Sequence, residues 1–277
     1  MAENHVAGKV IVVTGAGSGF GRLLCQRTQA MGARVVAIDV DAAGLDETVA
    51  GLPAESYLSV TASVADVDAL KAAVAQAVTA FGGVDVMVNN AGTMPLAFYA
   101  DHEQAYDAWI RCLDVNIKGV LNGIVAVHDQ MIEQGRGHVI NLSSIYGNFP
   151  VSGAGIYGAT KAAVNFLSES LRLESQGKIK VTTVRPTGVP ATNLGGGIIN
   201  PEAISGILGI NTASYMEKLG SLSEGTNSPE LLDPESPQYV ALEPQYIVDA
   251  IIHAIDQPWG VVIGDVTVRA MGDGYIL

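Results

Sequence analysis

The sequence predicts an α/β fold: a single doubly wound, Rossmann-type parallel sheet of about seven strands with helices on both faces. Three observations predict it. Short apolar runs rich in β-branched residues alternate with segments of helical period along nearly the whole chain, the pattern of strands buried on both sides by crossover helices. A glycine-rich turn links the first of these strands to the first helix, and Asp39 closes the second strand 18 residues after the last glycine of that turn.

The elements follow in order. Val10-Ile11-Val12-Val13 is a β-branched run and anchors a strand over 9–14. A helix over 19–31 comes next, then a strand over 34–39, a helix over 41–50, a strand over 56–60 and a helix over 65–81. The spacing continues with a strand over 84–89, a long helical pattern over 103–133, a strand over 138–142 and a helix over 157–175. A strand over 180–185, a helix over 245–256 and a short strand over 261–263 complete the series. No repeat of solenoid length interrupts it, so residues 1–277 read as one domain. Residues 187–243 are irregular and rich in Gly, Ser, Asn and Pro, and Glu224 to Glu243 holds five acids and no base. A solvated excursion is the plain reading. The position after strand six, at the carboxyl edge of the sheet, favours a substrate lid containing short helices.

Composition narrows the function. With 48% hydrophobic residues among 277, the chain can bury a large core. A net charge of -13 without a basic cluster argues against nucleic-acid binding. No apolar run is long enough to suggest a membrane span. The segment from Met1 to Lys9 has no signal-peptide character, and Cys25 and Cys112 read as buried small residues in a reducing compartment, so a cytoplasmic location is expected. Neither these cysteines nor the five histidines show metal-ligand spacing, and no metal is expected.

The turn Thr14-Gly15-Ala16-Gly17-Ser18-Gly19-Phe20-Gly21 would bring backbone close to a pyrophosphate at a helix N-terminus. Asp39, at the tip of the second strand, is placed to accept hydrogen bonds from an adenosine ribose. Its charge would repel a ribose 2′-phosphate. Ser18 and Val40, the positions best placed for a compensating base, are uncharged. NAD is therefore expected rather than NADP.

Tyr157 is the one tyrosine of nine with a lysine, Lys161, four positions on. On a helix the two share a face. A fixed ammonium favours the phenolate and lowers the phenol toward working pH, which suits a general acid/base acting on a substrate oxygen.

With these motifs in place the chain resembles the short-chain dehydrogenase/reductase family over essentially its full length. The residues that carry the likeness are the Gly15–Gly21 turn, Asn89-Asn90-Ala91-Gly92, Asn116, Ser144 and Tyr157-Gly158-Ala159-Thr160-Lys161. The resemblance implies that Tyr157 exchanges the proton while hydride moves to or from nicotinamide. Lys161 would support Tyr157 and bind the nicotinamide ribose, and Ser144 would hydrogen-bond the substrate oxygen. Asn116 would hold a water that connects Lys161 to solvent. Asn90, Ala91 and Gly92 would lie beside the cofactor, with Asn90 serving mainly as scaffold. A homotetramer is the family expectation, with the helices at 103–133 and 157–175 as contacts.

Two departures stand out. Where the family often has an acid for the adenine amino group, this chain has Ser63-Val64. After strand six it reads Pro186-Thr187-Gly188-Val189-Pro190-Ala191-Thr192, with the family's glycine and threonine each one place late. Thr192 would reach the nicotinamide carboxamide only after a local rearrangement. Met94, Ile145, Tyr146, Phe149, Thr187, Leu194, Tyr215 and Met216 are expected to line an apolar substrate pocket without a pairing cation. The expected substrate is a hydrophobic secondary alcohol or its ketone. An NADPH-dependent ketoreductase and a non-catalytic dinucleotide sensor on the same fold are the competing readings.

Overall fold

A computed structural model of the chain describes residues 4–190 and 192–276. Seven strands form one sheet: β1 (Val10–Thr14), β2 (Arg34–Asp39), β3 (Tyr57–Thr61), β4 (Val86–Asn89), β5 (Gly137–Leu142), β6 (Ile179–Pro186) and β7 (Asp265–Val268). The order across the sheet is β3-β2-β1-β4-β5-β6-β7, and every pairing is parallel. The chain reverses winding between β1 and β4, which opens a crevice at their carboxyl ends.

Alternation along each strand divides the core in two. Ile11, Val13, Val35, Ala37, Val86 and Val88 pack beneath α1 (Gly19–Ala30), α2 (Ala42–Val49) and, further along the chain, the helix at Pro244–Ile255. Val10, Val12, Val36, Ile38 and Met87 face the opposite layer, made by α3 (Val67–Phe81) and by helices within 102–133 and 155–174. Both clusters are almost solvent-free, and each fully buried Val, Ile or Leu contributes about 1.5–3 kcal/mol relative to exposure.

Local signals explain the element ends. Asp66 caps α3 by accepting from Asp68 N at 3.0 Å and Ala69 N at 3.1 Å, and Gly82 ends it in the left-handed region. The expected long helix over 103–133 is divided into α4 (His102–Leu113) and α5 (Gly119–Glu133) by a π-helical turn at Asp114–Lys118. That turn presents Asn116 to the core. The sixth helix, α6, spans Gly155–Glu174.

The last strand lies at Asp265–Val268 rather than 261–263. The backbone of 258–263 serves β6 in another way: Lys180 Nζ donates to the Pro258 and Val261 carbonyls, and Thr182 Oγ1 to the Ile263 carbonyl. Ladder pairing starts only at Asp265, opposite Thr183.

The excursion after β6 is helical in part. It contains α7 (Ser205–Leu208) and α8 (Thr212–Glu224), and then leads to α9 (Pro244–Ile255). Ala203, Ile207, Leu208, Tyr215, Leu231 and Val240 from this part form a third apolar cluster with Leu96, Ile145, Tyr146 and Tyr157. The excursion is thus packed onto the carboxyl edge of the sheet instead of lying in solvent. No described helix is long and apolar enough to cross a membrane.

Candidate active site

The glycine-rich turn is held by backbone contacts. Gly15 adopts φ 66, and an added Cβ there would sit 2.8 Å from Ala91 Cα. A Cβ on Gly21 would overlap the Gly15 carbonyl oxygen, so α1 can approach the turn only with glycine at that position. Asn90 Nδ2 donates to the Thr14 carbonyl at 2.8 Å and the Gly15 carbonyl at 3.1 Å. It therefore braces the turn, in line with a scaffold role. Asp39 accepts from Gly17 N at 2.8 Å and Asp41 N at 3.0 Å, which fixes its carboxylate beside the turn. Arg22 donates to the Gly17 carbonyl and pairs with Glu47, outside the crevice.

A cavity of about 1110 Å³ runs from this turn to the third apolar cluster. Its wall includes Gly15, Ser18, Gly19, Phe20, Asp39, Ser63, Val64, Asn90, Ala91 and Gly92. Pro186, Thr187, Gly188, Val189 and Thr192 line it after β6. Ser144, Tyr157 and Lys161 stand together in the same wall. Helix α6 places Tyr157 and Lys161 one turn apart, as the spacing predicts, with Lys161 Nζ 5.8 Å from the Tyr157 ring centroid.

The electrostatics differ from the expectation. Burial pushes the Tyr157 phenol up rather than down, and only the nearby Ser144 hydroxyl opposes it. Lys161 is also buried, which brings its ammonium down to about 8, and its Nζ donates to the Leu142 carbonyl at 2.7 Å. Desolvation is the largest cause of both shifts. Ser143 also borders the cavity, but its hydroxyl is engaged, donating to the Lys161 carbonyl at 3.1 Å.

Asn116 is fully buried and lies outside the cavity wall. Its Oδ1 accepts from Thr93 N at 2.9 Å, while its Nδ2 donates to the Thr93 carbonyl at 2.9 Å and to Thr160 Oγ1 at 3.1 Å. The side chain thus fixes the Thr93 segment and keeps only one Oδ1 lone pair for a water.

Of the expected pocket residues, Met94, Ile145, Tyr146, Leu194 and Tyr215 line the cavity. Phe149 and Met216 do not: Phe149 is 63% exposed just past the turn after β5, and Met216 is 45% exposed on the outer side of α8. Helical geometry explains Met216, since a residue next to an inward Tyr215 must point elsewhere.

The cavity also uses residues that the sequence reading left out. Thr93 follows the Asn89–Gly92 motif directly, so adjacency could have found it. Asp107, Ile110 and Arg111 on α4 and Asp114 at the start of the π-helical turn recur at helical spacing, a signal visible once the helix is assumed. Tyr275 comes from the C-terminal tail, where no motif marks it. Two buried wall hydroxyls, Thr93 Oγ1 and Thr187 Oγ1, have no hydrogen-bond partner among the described residues. Thr192 Oγ1, by contrast, donates to the Val189 carbonyl at 3.1 Å.

Both cysteines are free and buried, and Cys25 is pushed up to about 12 by desolvation, which makes it inert. Among the described residues no three His, Cys, Asp or Glu side chains cluster as metal ligands would.

Comparison with known proteins agrees with this geometry. An uncharacterized oxidoreductase of Staphylococcus aureus (strain MW2) is 31% identical over 261 residues, covering 94% of this chain and 96% of its own. Another, from Staphylococcus saprophyticus, is 38% identical over 196 residues, covering 69% and 78%. Among solved structures, the closed form of serine dehydrogenase complexed with NADP+ is similar with a TM-score of 0.78 and 26% identity, over 96% of this chain and 97% of that one. Levodione reductase, at 23% identity and a TM-score of 0.73 over 95% and 97% of the two chains, shares the fold. The short chain dehydrogenase profile matches residues 9–202. With the sheet order, the glycine-rich turn and the Ser144, Tyr157 and Lys161 cluster, this match places the chain in the short-chain dehydrogenase family, as an oxidoreductase using a nicotinamide dinucleotide.

Proposed function

We propose that this protein is an NAD-dependent dehydrogenase that interconverts hydrophobic secondary alcohols and ketones, with Tyr157 as the general acid/base. One observation carries the reading. The buried Tyr157 phenol stands with Ser144 and Lys161 in the wall of a cavity that is otherwise largely apolar at that end.

The wall fits a dinucleotide. Gly15, Ser18, Gly19, Phe20 and Gly21 form the pyrophosphate cradle, Asp39 takes the adenosine ribose, and Ser63 and Val64 border the adenine. Asn90, Ala91 and Gly92 flank the path to the nicotinamide end, where Lys161 reaches the second ribose. Thr187 has the orphaned hydroxyl suited to the carboxamide. This replaces Thr192, whose hydroxyl is already engaged. When bound, the cofactor supplies the hydride acceptor in oxidation and the hydride donor in reduction.

In the oxidation direction the Tyr157 phenolate takes the hydroxyl proton as the C–H hydrogen leaves with its electron pair. In reduction, phenol O–H protonates the developing alkoxide. Ser144 donates to the same oxygen and stabilises its charge. Lys161 holds positive charge near the phenolate, and Asn116 keeps the Thr93 segment in register with both.

NAD is favoured because Asp39 is anchored beside the turn, and Ser18 and Val40, which line the cavity with it, are uncharged. NADPH use is the second reading. It is supported by the NADP+ in the serine dehydrogenase structure and by Arg111, a lining cation with no side-chain partner among the described residues. Fluorescence titration with NADH and NADPH tests the choice: tighter NADPH binding defeats the NAD assignment. Tyr106, Leu121, Val125, Phe166 and Leu173 expose apolar surface on α4, α5 and α6. They support self-association through these helices, tested by sedimentation equilibrium.

A further inference from the structure

Three phenols besides Tyr157 meet at the substrate end of the cavity, and they come from distant parts of the chain. Tyr146 lies in the turn after β5, Tyr215 on α8 and Tyr275 in the tail after β7. The Tyr146 ring meets the Tyr157 ring edge-on, with centroids 5.4 Å apart. The Tyr215 and Tyr275 rings are 5.5 Å apart, and their hydroxyl oxygens 3.3 Å. Tyr146, Tyr157 and Tyr215 belong to one apolar cluster, Tyr275 packs against it, and all four line the same cavity.

The tail that carries Tyr275 is tied down at several points. Ile276 N donates to the Ile207 carbonyl at 3.0 Å, and Asn211 Nδ2 to the Gly274 carbonyl at 3.0 Å. Arg269 pairs with Asp273 at 2.7 Å and donates to the Tyr275 carbonyl at 2.9 Å. The Tyr275 hydroxyl occupies the space that a Cβ on Gly188 would take. The tail therefore joins the excursion to the loop after β6 and sets the phenol between them.

Hydrogen-bond accounting then shows a deficit. Each phenol has one O–H to donate. Within the Tyr215–Tyr275 pair one O–H serves the other oxygen, which leaves one. Tyr146 is 8% exposed, lines the cavity, and its hydroxyl has no hydrogen-bond partner among the described residues. Two donors thus remain on phenols that line the cavity together with the apolar Met94, Leu194 and Ile198. A ligand without an oxygen at that place would strand them, and such sites discriminate strongly against analogues that lack the group.

We propose that Tyr146, Tyr215 and Tyr275 form a second polar subsite for a neutral oxygen carried on a carbon other than the one oxidised. The preferred substrates are then diols, hydroxyketones or diketones on an apolar skeleton, rather than simple alcohols. Burial holds all three phenols in their neutral form, so they act as donors and not as charges. A carboxylate would find no cation there: the lining cations are Lys161, which serves the Leu142 carbonyl, and Arg111 on the exposed side of α4. The inference rests on the Tyr157 reading for which carbon reacts, but the subsite itself is measurable by binding alone.

The test compares cyclohexanol with the cyclohexane-1,2-, 1,3- and 1,4-diols. Affinity is read by calorimetry on enzyme saturated with whichever of NADH or NADPH binds more tightly, and kcat/KM is read with the oxidised form. At least one diol is expected to bind about tenfold tighter than cyclohexanol or better, and at least one of Y146F, Y215F and Y275F to lose that advantage. Because each ratio is taken within one protein, a general loosening of the variant lowers both values and leaves the ratio. Diols all within about twofold of cyclohexanol in the unaltered enzyme overturn the subsite, as does an advantage retained in all three variants. Diol-selective binding without turnover of any alcohol would sink the Tyr157 reading and keep the subsite. Equal turnover of cyclohexanol and every diol would do the reverse.

Discussion

At the Asp39 end of the cavity the wall is built on strand tips and a glycine-rich turn; at the Tyr215 end it is built on an excursion and a tail. Gly17 N, Ala16 N and Asn90 Nδ2 bond strands or turn directly, and each has a partner set by sheet register. Tyr215, Leu219 and Tyr275 owe their place to the packing of residues 203–276 onto that edge. The first kind of site accepts a constant ligand and tolerates little change. The second can be altered residue by residue without touching the sheet, which is how one fold serves many substrates. Tyr157 stands where the two meet.

The strongest way to separate the ends is to remove the group at their junction. Tyr157→Phe deletes one oxygen from a buried ring and leaves its edge contact with Tyr146. It is expected to lower kcat for alcohol oxidation by about 10²–10⁴-fold while NADH affinity stays near that of the parent. Retained turnover would remove Tyr157 from the chemistry. A parallel collapse of NADH binding would show that the ends are not independent.

The pH profile gives the next largest effect. Burial raises the Tyr157 phenol, and phenolate is the form that accepts a proton in oxidation. Well below its pKa the phenolate fraction grows tenfold per pH unit, so kcat/KM for oxidation is expected to climb between pH 6 and about 9. A flat profile, measured where a deuterium isotope effect shows hydride transfer to be limiting, contradicts this. Lys161 adds a separate stability signature. Its folded value of about 8 lies below the ordinary 10.5, so the folded state disfavours the charged form. That cost is fully present below pH 8 and fades as pH rises from 8 toward 10.5.

The same division decides what could be read from sequence. Strands β1 to β6 and the residues on their tips were legible because buried parallel strands are continuous apolar runs and because the turn must be glycine. Gly15, Gly21 and Asp39 needed no tertiary knowledge. Tyr275 was illegible: its position depends on the tail crossing α7 and α8, which no local pattern encodes. Phe149 and Met216 failed for the same reason, since apolar character after a strand does not say which way a loop residue points. The shift of β7 to Asp265–Val268 followed from Lys180 and Thr182 claiming carbonyls of 258–263. The direction of the Tyr157 shift was misread because the spacing reports an ammonium nearby but not how deeply both groups are buried.

Asp39→Ala sharpens the cofactor end. Losing charged hydrogen bonds to a ribose is expected to weaken NADH binding by about 10–100-fold, with a smaller change for NADPH, because repulsion of the 2′-phosphate goes at the same time. Titration of both cofactors checks it. An equal loss for both would mean that Asp39 serves the turn, through Gly17 N and Asp41 N, and not the ligand.

The smallest effect concerns the loop after β6, where the two ends share a wall. Thr187 Oγ1 is buried and has no partner among the described residues, whereas Thr192 Oγ1 is engaged by the Val189 carbonyl. A buried hydroxyl without a partner disfavours the free protein and is repaired by a ligand that supplies one. Thr187→Val keeps the shape and removes that need, so NADH binding is expected to weaken by about 3–10-fold. Thr192→Val frees a carbonyl but takes nothing from the cavity, and a smaller loss is expected. If Thr192→Val is the more damaging of the two, the loop rearranges around the cofactor and the late-placed threonine does reach the carboxamide. The boundary between fixed and adaptable parts of the wall would then lie before Thr187, not after it.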